Sequence, residues 1–218
     1  MSGDAESSPT ADGRTARASR KRASRRRQIL DAARQVFAEK GYHDAHVSDV
    51  IAAAGIARGT FYLYFESKSA IFLELLDELL RELRESIIGV DTYDGAPPVE
   101  AQLVGTVRGL LQKVAENRAM TTIIVREAVG LDDEVERRTR EFYDELHGYI
   151  RQSLLNGQKM GFVREMNLDV AAFCVLGTIK QLMEQIAGNP DGSPLGLDVD
   201  RLTMDVLDFN LRGVIERG

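Results

Sequence analysis

The sequence predicts an all-α protein. Apolar residues recur three and four positions apart, as on one face of a helix, in one segment after another. No stretch alternates apolar and polar residues over the length of a strand, and no internal repeat is visible. At 218 residues, of which 44% are hydrophobic and 28% charged, the chain can bury a substantial core.

Residues 1–23 are expected to form a disordered arm, because Ser, Ala, Gly and Arg dominate them and large apolar side chains are almost absent. The segment Arg14–Arg27 holds eight basic residues and no acid. Such an arm can attract DNA phosphates without reading the base sequence. The alternative is a tail that only keeps the protein in solution.

Three helices are predicted after the arm. The first begins at Ser24 and stops at Gly41, since glycine commonly ends a helix. A second covers about Val47–Ala54 and stops at Gly55, and a third covers about Arg58–Tyr64. The apolar face of the first helix consists of Ile29, Ala32, Ala33, Val36 and Phe37.

A long fourth helix is predicted from Ser67, a favourable N-cap, to a point near Gly89. At about 1.5 Å per residue it would be roughly 33 Å long. Its apolar stripe consists of Ile71, Phe72, Leu75, Leu76, Leu79, Leu83 and Ile87. Gly95, Pro97 and Pro98 then interrupt the helical pattern.

Five more helices are predicted in the second half of the chain. They cover about residues 99–116, 118–129, 132–160, 168–188 and 198–216. Between the last two, residues 188–194 consist of Gly, Asn, Pro, Asp and Ser, a composition typical of a loop.

The charges are distributed unevenly along the chain. The formal net charge is −6, yet residues 14–68 hold twelve Lys and Arg against five Asp and Glu. Residues 69–218 hold 16 basic residues against 26 acidic ones. A basic head on an acidic body suggests that only the head meets a polyanion such as DNA.

Catalysis is not expected, because the chain lacks a nucleophile motif and a Gly-rich phosphate loop after a strand. His43 and His46 share one turn with Asp44 and Asp49, a grouping that superficially suggests a metal site. No second cluster of ligands accompanies it, so a solvated loop is the preferred interpretation. We therefore expect neither a metal nor a cofactor.

A cytoplasmic location is expected. Cys174 is the sole cysteine and cannot form an internal disulfide, which fits a reducing compartment. The first ten residues lack the apolar stretch of a signal peptide. No uninterrupted apolar run reaches the roughly 18 residues that a membrane span needs.

The second and third predicted helices are spaced as in a helix-turn-helix, whose second helix enters the major groove of DNA. Arg58, Gly59 and Thr60 open the third helix and place small and polar groups where base edges lie. The hydroxyls of Tyr62 and Tyr64 can reach phosphate oxygens.

Lys68 is expected to hold a phosphate together with the free N–H groups at the start of the fourth helix. Two aromatic residues of this region, Phe61 and Phe65, are instead expected to pack in the core, because aromatics at this spacing usually do. Arg58 has an alternative interpretation as a solvated surface residue.

Residues 24–70 resemble the DNA-binding domain of TetR-family repressors. The matching segments are Gly41-Tyr42, Val47-Ser48-Asp49-Val50 and Ala54-Gly55-Ile56-Ala57-Arg58-Gly59-Thr60-Phe61-Tyr62-Leu63-Tyr64-Phe65-Glu66-Ser67-Lys68. The resemblance implies an Ω-shaped homodimer of nine-helix subunits. It also implies a ligand pocket in residues 71–218 and a dimer interface formed by the last two helices.

The sequence departs from the family pattern at the start of the second helix. Ala45-His46 stands where a Thr pair commonly caps this helix and touches phosphate, which passes that contact to His46. Ser48 is the other expected DNA-contacting residue there. Ala57 replaces a frequent Ser cap on the third helix, and Ile51 replaces a usual Ala where the two short helices cross.

A ligand pocket is expected between the C-terminal helices, because cavities in helical bundles combine apolar walls with a few polar groups. The candidates are Leu83 and Ile87 on the fourth helix, Ile123, Ile124, Arg126 and Glu127 on the sixth, Phe142, Tyr143, His147 and Tyr149 on the seventh, and Phe173, Cys174, Gly177 and Gln181 on the eighth. The alternative is that these residues form core packing and that Arg126 and Glu127 pair with neighbouring helices.

Two apolar stripes are candidates for the dimer interface, as in an intermolecular four-helix bundle. They consist of Ala171, Ala172, Val175, Leu176, Ile179 and Met183 on the eighth helix and of Leu202, Val206, Phe209 and Val214 on the ninth. The alternative is that both stripes serve only the core of their own subunit.

The sequence therefore predicts a dimeric repressor that binds operator DNA and leaves it when a small molecule binds. One alternative is a DNA-binding regulator controlled without a small molecule, which a filled C-terminal core would favour. Another is an enzyme or adaptor built on a helical bundle, which an absence of sequence-specific DNA binding would favour.

Overall fold

The computed structural model describes residues 11–87, 89–124, 133–188 and 198–214. Over these residues the chain forms nine helices and no strand, which confirms the predicted all-α fold. The helices are α1 (Ala11–Asp44), α2 (Val47–Ala54), α3 (Arg58–Tyr62), α4 (Lys68–Glu85), α5 (Val99–Glu116), α6 (Arg118–Thr122), α7 (Asp133–Lys159), α8 (Leu168–Gly188) and α9 (Val199–Val214).

The chain divides into two compact units, residues 1–72 and 73–218. An aromatic cluster lies in the core of the first unit. The ring centroid of Phe72 is 4.8 Å from that of Tyr42 and 5.9 Å from that of Phe37. These contacts hold the start of α4 against α1, so the unit can present α2 and α3 on a rigid base.

Helix α1 begins at Ala11, whereas the sequence suggested disorder up to residue 23. Residues 15–24 are exposed, so packing does not explain their helix. Ala and Arg are among the best helix formers, and extending an existing helix costs far less than starting one. The predicted disorder of residues 11–23 was wrong, because a segment with few apolar residues can still be helical. Residues 1–10 lie outside the described part of the chain.

Gly41 interrupts α1 as predicted, with φ 74° and ψ 173° inside the helical span. A positive φ favours glycine because it has no Cβ to clash with the backbone. The chain turns there toward the buried Ala45 and the start of α2.

Helix α4 ends at Glu85 rather than near Gly89. Ser86 N–H donates to Leu83 O at 3.1 Å and Ile87 N–H donates to Arg84 O at 3.0 Å, so the last turn tightens and the helix stops. Eighteen residues correspond to about 27 Å of helix. Ile87 therefore lies beyond the helix, where its side chain is half-buried.

The second unit is a helical bundle in which α7 packs against α8 and α5 packs against α9. Its core contains Val107, Leu111 and Val114 from α5, Val135, Phe142 and Leu146 from α7, Ala172, Leu176, Ile179, Met183 and Ile186 from α8, and Leu202, Val206 and Leu207 from α9. The predicted loop at residues 188–194 lies almost wholly outside the described residues.

By length and composition alone, helix α8 is long and apolar enough to cross a membrane. It does not appear as an uninterrupted apolar run in the sequence because it contains charged residues. Asp169, Lys180 and Glu184 interrupt it. A core helix of a helical bundle passes the same test, and α8 contributes five side chains to the core given above.

Most residues of the two predicted dimer stripes face the core of their own unit. This corrects the choice of interface residues on α8 and α9. Ala172, Leu176, Ile179, Met183, Leu202 and Val206 are all buried within the subunit. Because α8 is apolar around much of its circumference, the sequence did not reveal which row of side chains lies inside. Phe209 is exposed, and the side chain of Val214 lies outside the described residues.

Candidate nucleic-acid interface

Helix α2 is fixed at its start by Asp49. Its carboxylate accepts a hydrogen bond from the backbone N–H of His46 at 2.9 Å and pairs with the ammonium of Lys40 at 2.9 Å. The bond from Lys40, followed by that from His46, lowers the pKa of Asp49 below its ordinary value. His46 and Ser48 remain exposed at this end of α2, where DNA contacts were predicted.

The turn between α2 and α3 depends on Gly55, which has φ 61° and ψ 40°. Its N–H donates to Ala52 O at 3.1 Å, and the N–H of Ile56 donates to Ile51 O at 3.3 Å. This pair of bonds is a Schellman motif, which ends a helix with a residue of positive φ. Gln28 of α1 also donates to Ala54 O at 2.8 Å. The turn is therefore held from two sides.

Helix α3 is anchored by Phe61, which is fully buried. Phe65 follows one turn later and is also buried, so both residues pack in the core as predicted. The guanidinium of Arg26 lies 4.4 Å from the centre of the Phe65 ring and donates to Tyr64 O at 3.0 Å. These contacts fix which side of α3 points away from the domain.

Helix α3 and the residues just after it contain five of the eight predicted DNA-contacting residues. Arg58 and Gly59 are exposed, Tyr62 is 47% exposed, and Thr60 and Tyr64 are half-buried. No atom lies within 4 Å of the position that a Cβ on Gly59 would occupy. The N-terminal end of α3 therefore has a polar surface with no side chain projecting at Gly59. The backbone of α3 can come close to base edges and phosphates there.

Leu63, which the sequence analysis did not single out, directly follows α3 and is 73% exposed. An apolar side chain at this place can contact the C5-methyl group of thymine in the major groove. Its position between Tyr62 and Tyr64, which were both predicted to contact DNA, could have indicated this role from the sequence.

Lys68 is engaged within the domain, which differs from the predicted phosphate contact. Its ammonium donates to Tyr42 O at 2.6 Å, Ala45 O at 2.9 Å and His43 O at 3.2 Å. It also lies 4.4 Å from the centre of the Tyr42 ring. Burial lowers the pKa of Lys68, and the nearby Asp44 partly offsets this effect. An ammonium has three hydrogens, and all three have acceptors here.

In the second unit, a small cavity of about 10 Å³ lies among apolar side chains. It has the space that one water molecule needs. The lining residues are Leu79, Leu80, Leu83, Thr121, Ile124, Phe142, Tyr143 and Met183. Among the predicted ligand-binding residues, Leu83, Ile124, Phe142 and Tyr143 therefore meet at one place. The predicted set did not include four lining residues. Leu79 and Met183 had been assigned only to apolar stripes, and Leu80 and Thr121 had not been singled out.

The other predicted ligand-binding residues do not line this cavity. Ile123, which precedes the lining residue Ile124 in sequence, is buried but does not line the cavity. Ile87 lies beyond the end of α4. Tyr149 is exposed on α7, and Phe173, Cys174, Gly177 and Gln181 are exposed on α8. The ring of His147 lies on that of Phe173, with centroids 4.1 Å apart. Spacing along α7 and α8 did not distinguish their inner from their outer sides. Arg126 and Glu127 lie outside the described residues.

Tyr143 is the titratable residue of the cavity wall. Burial, together with the charge of Glu184, raises its pKa to about 12. The ammonium of Lys180 lies 4.9 Å from the centre of its ring. Its hydroxyl therefore stays protonated at neutral pH and can donate a hydrogen bond.

Helices α8 and α9 also expose large apolar side chains. Val170 and Phe173 are 57% and 61% exposed on α8, and Met204 and Phe209 are 47% and 71% exposed on α9. Scattered apolar residues are normal on protein surfaces. These four lie on the two helices that were predicted to form the dimer interface.

Comparison with known proteins agrees with these features. The family model described as "Bacterial regulatory proteins, tetR family" matches residues 29–75, and the one described as "Tetracyclin repressor-like, C-terminal domain" matches residues 96–184. The uncharacterized HTH-type transcriptional regulator YdgC of Bacillus subtilis is 30% identical over 186 residues, which cover 81% of this chain and 89% of YdgC.

Two further proteins extend the comparison. The HTH-type transcriptional repressor DhaR of Mycobacterium sp. is 26% identical over 64% of this chain and 70% of its own. The crystal structure of a tetR-family regulatory protein from Rhodococcus RHA1 has the same fold, with a TM-score of 0.73 and 21% identity over 89% of this chain and 98% of its own. This chain belongs to the TetR family of bacterial transcriptional regulators.

Proposed function

We propose that this protein is a repressor that binds operator DNA through the outward side of α3. The observation that carries the proposal is the exposure of Arg58, Gly59 and Tyr62 on a short helix whose opposite side is anchored by the buried Phe61. A convex element of this kind fits the major groove, which is about 12 Å wide. The name of the relative DhaR supports repression rather than activation.

The test is selection of bound fragments from random duplex DNA by the full-length chain, followed by footprinting of the selected site. We expect a near-palindromic site whose half-sites lie about one helical turn, or a multiple of it, apart. If no sequence is enriched over the starting pool, the protein is not a sequence-specific regulator. A reporter gene behind the selected site then shows whether binding represses transcription.

We further propose that the protein is a homodimer whose subunits meet through α8 and α9. The supporting observation is the set of exposed side chains Val170, Phe173, Met204 and Phe209. The double variant Phe173→Asp/Phe209→Asp should lower the mass measured by analytical ultracentrifugation from dimer to monomer. The matched variant Tyr93→Asp, at another exposed aromatic residue, should leave the mass unchanged. A dimer that persists in the double variant overturns this interface.

For the control of DNA binding we propose a small-molecule effector at the cavity lined by Leu83, Phe142 and Tyr143. The Thr121 hydroxyl already donates to Asn117 O at 3.1 Å, which leaves the Tyr143 hydroxyl as the available donor of the cavity wall. Apolar walls with one available donor favour a mostly apolar molecule with a single acceptor group. Because the cavity of about 10 Å³ holds no more than a water molecule, such an effector must open the bundle to enter.

The small size of that cavity favours a second candidate, a DNA-binding regulator controlled by its abundance or by a protein partner. A thermal-shift screen of small apolar molecules separates the two candidates. A compound that raises the unfolding temperature and lowers DNA affinity supports the effector. Operator occupancy that follows only the protein concentration, with no such compound, supports the second candidate. Either candidate acts on chromosomal DNA, so we place the protein in the cytoplasm.

A further inference from the structure

The N-terminal extension, residues 11–23, lengthens α1 beyond the DNA-binding domain. The family model matches only from residue 29, yet the helix begins at Ala11. At about 1.5 Å per residue the extension adds roughly 20 Å of helix. Its described side chains, from Thr15 onward, are exposed, so they do not contribute to the core of the domain.

The charges of the N-terminal extension are mostly positive, with five basic residues against one acid, Asp12. Residues 13–30 contain eight basic residues and no carboxylate. Arg17, Lys21 and Arg25 follow one another four positions apart, and like charges at this spacing destabilise a helix. An anion beside the helix relieves that repulsion.

Helix α7 provides a contrast within the same chain. There Arg137 pairs with Glu134 and Glu141 at 2.5 Å, and Arg140 pairs with Glu136 at 2.5 Å. In the described part of the chain, Arg17, Lys21 and Arg22 have no such carboxylate partner. These three side chains are therefore available to an external polyanion.

The extension starts beside the helix-turn-helix. Arg26 donates to Tyr64 O, just after α3, and Gln28 donates to Ala54 O, at the end of α2. Arg22 lies one turn before Arg26 and hence on the same side of α1. Arg22 thus continues, one turn further toward the N-terminus, the side of α1 that supports α3.

We propose that the N-terminal extension is a second DNA-binding element, which acts as a stiff helix that contacts phosphates next to the site read by α3. The proposal rests on the proposed function and adds to it a contact outside the helix-turn-helix. It assigns Arg17, Lys21 and Arg22 to phosphates, so it predicts added affinity without added base preference. The continuity with α1 holds these charges at a defined place, whereas a flexible arm would lose entropy on binding.

The test uses full-length protein and the duplex selected above, with affinity measured between about 50 and 200 mM salt. The variant Arg17→Gln/Lys21→Gln/Arg22→Gln removes three charges and keeps good helix formers. We expect a salt slope shallower by about 3 for each bound subunit, at about 0.9 for each lost phosphate contact. The control Arg137→Gln/Arg140→Gln removes paired charges of α7 and should leave the slope unchanged.

A second variant separates the stiff helix from a flexible arm. Ala23→Pro keeps every charge but breaks α1 in front of the packed part of the helix, where proline is tolerated as a first helical residue. Its affinity should fall at least about tenfold, and Ala23→Gln should bind like the unchanged protein. Circular dichroism should show helix loss only in the proline variant.

Each outcome decides a different point. An unchanged salt slope in the triple Gln variant overturns the DNA contact. Full affinity in Ala23→Pro overturns the stiff helix and leaves a flexible arm. If the triple variant loses binding to vesicles of anionic lipid but not to DNA, the extension is a membrane contact instead. Failure of the full-length chain to select any sequence overturns the proposed function, which the other three outcomes do not.

Discussion

At the residue scale, Lys68 shows how one side chain can organise the DNA-binding unit. It lies 23 to 26 residues after the three carbonyl groups that its ammonium reaches. These carbonyls belong to the end of α1 and the segment that leads into α2, where the helix leaves its last C=O groups without internal partners. Lys68 therefore fixes the position of α2 from the start of α4.

Lys68→Met should destabilise the first unit by about 1–3 kcal/mol, because hydrogen bonds to a charged group are lost while the length of the side chain is kept. The measurement is urea unfolding monitored by tyrosine fluorescence, with Lys68→Arg as the control that keeps the charge. The salt dependence of DNA binding should stay the same in the folded variant. A slope reduced by about 0.9 per subunit, with stability unchanged, would mean that Lys68 binds phosphate after all.

We expect Tyr62 to contact a phosphate, which positions the protein on DNA, and Arg58 to contact base edges, which gives sequence preference. Tyr62→Phe should weaken binding to all operator variants alike, since a lost phosphate contact carries no base information. Arg58→Ala should relax discrimination at particular base pairs by about 1–3 kcal/mol. Both variants are measured against a panel of single-base changes in the selected site. Equal losses on every member of the panel for Arg58→Ala would show that Arg58 does not read bases.

At the scale of the element, α2 and α3 are short and owe their geometry to the turn between them. A helix of five residues such as α3 does not form by itself in water. The Schellman motif at Gly55 and the buried Phe61 hold it in place. Two glycines of this region, Gly55 and Gly59, therefore have different roles that substitution can separate.

Gly55→Ala should destabilise the first unit by about 1–2 kcal/mol, because an alanine at φ 61° strains the backbone even with open space around its Cβ. Gly59→Ala should instead be neutral or stabilising by up to about 1 kcal/mol, since alanine favours a helix and meets no neighbour. The same Gly59→Ala change should weaken DNA binding, because its methyl group projects from the outward side of α3. Thermal unfolding and DNA affinity, measured on both variants, test the pair. Undiminished DNA affinity in Gly59→Ala would show that α3 does not approach DNA closely there.

At the scale of the whole molecule, the proposed effector would have to act on DNA binding from the second unit. Helix α4 contributes Lys68 to the first unit and Leu83 to the cavity of the second, so it belongs to both. Dimeric helix-turn-helix proteins need their two recognition helices about 34 Å apart. An effector that favours another spacing lowers DNA affinity.

If an effector acts in this way, DNA must lower the affinity for the effector by the same factor. The measurement is effector titration by calorimetry with and without saturating operator DNA. Leu83→Ala, which enlarges the cavity, should change effector affinity and coupling, while the exposed Tyr93→Ala serves as control. Equal effector affinities in the presence and absence of DNA would overturn the coupling, however tightly the effector binds.

The predictions from sequence succeeded where local chemistry decides the structure. The bounds of α2, α5 and α8 match the predicted ones, and Gly41 and Gly55 interrupt the helices as expected. Helical periodicity and glycine at positive φ depend on neighbours a few residues apart, which the sequence displays directly. The same locality explains why the outward residues of α3 and the buried Phe61 and Phe65 were recognised.

The tertiary structure alone decided three points: the partners of Lys68, the residues that line the cavity, and the side of α8 that lies inside. The acceptors of Lys68 are more than twenty residues away in sequence, and α8 carries apolar side chains on both its buried and its exposed sides. No local pattern distinguishes such alternatives, because they depend on which distant surfaces meet. By itself the sequence determined the helices and the helix-turn-helix, because those depend on short-range geometry, and long-range packing decided the rest.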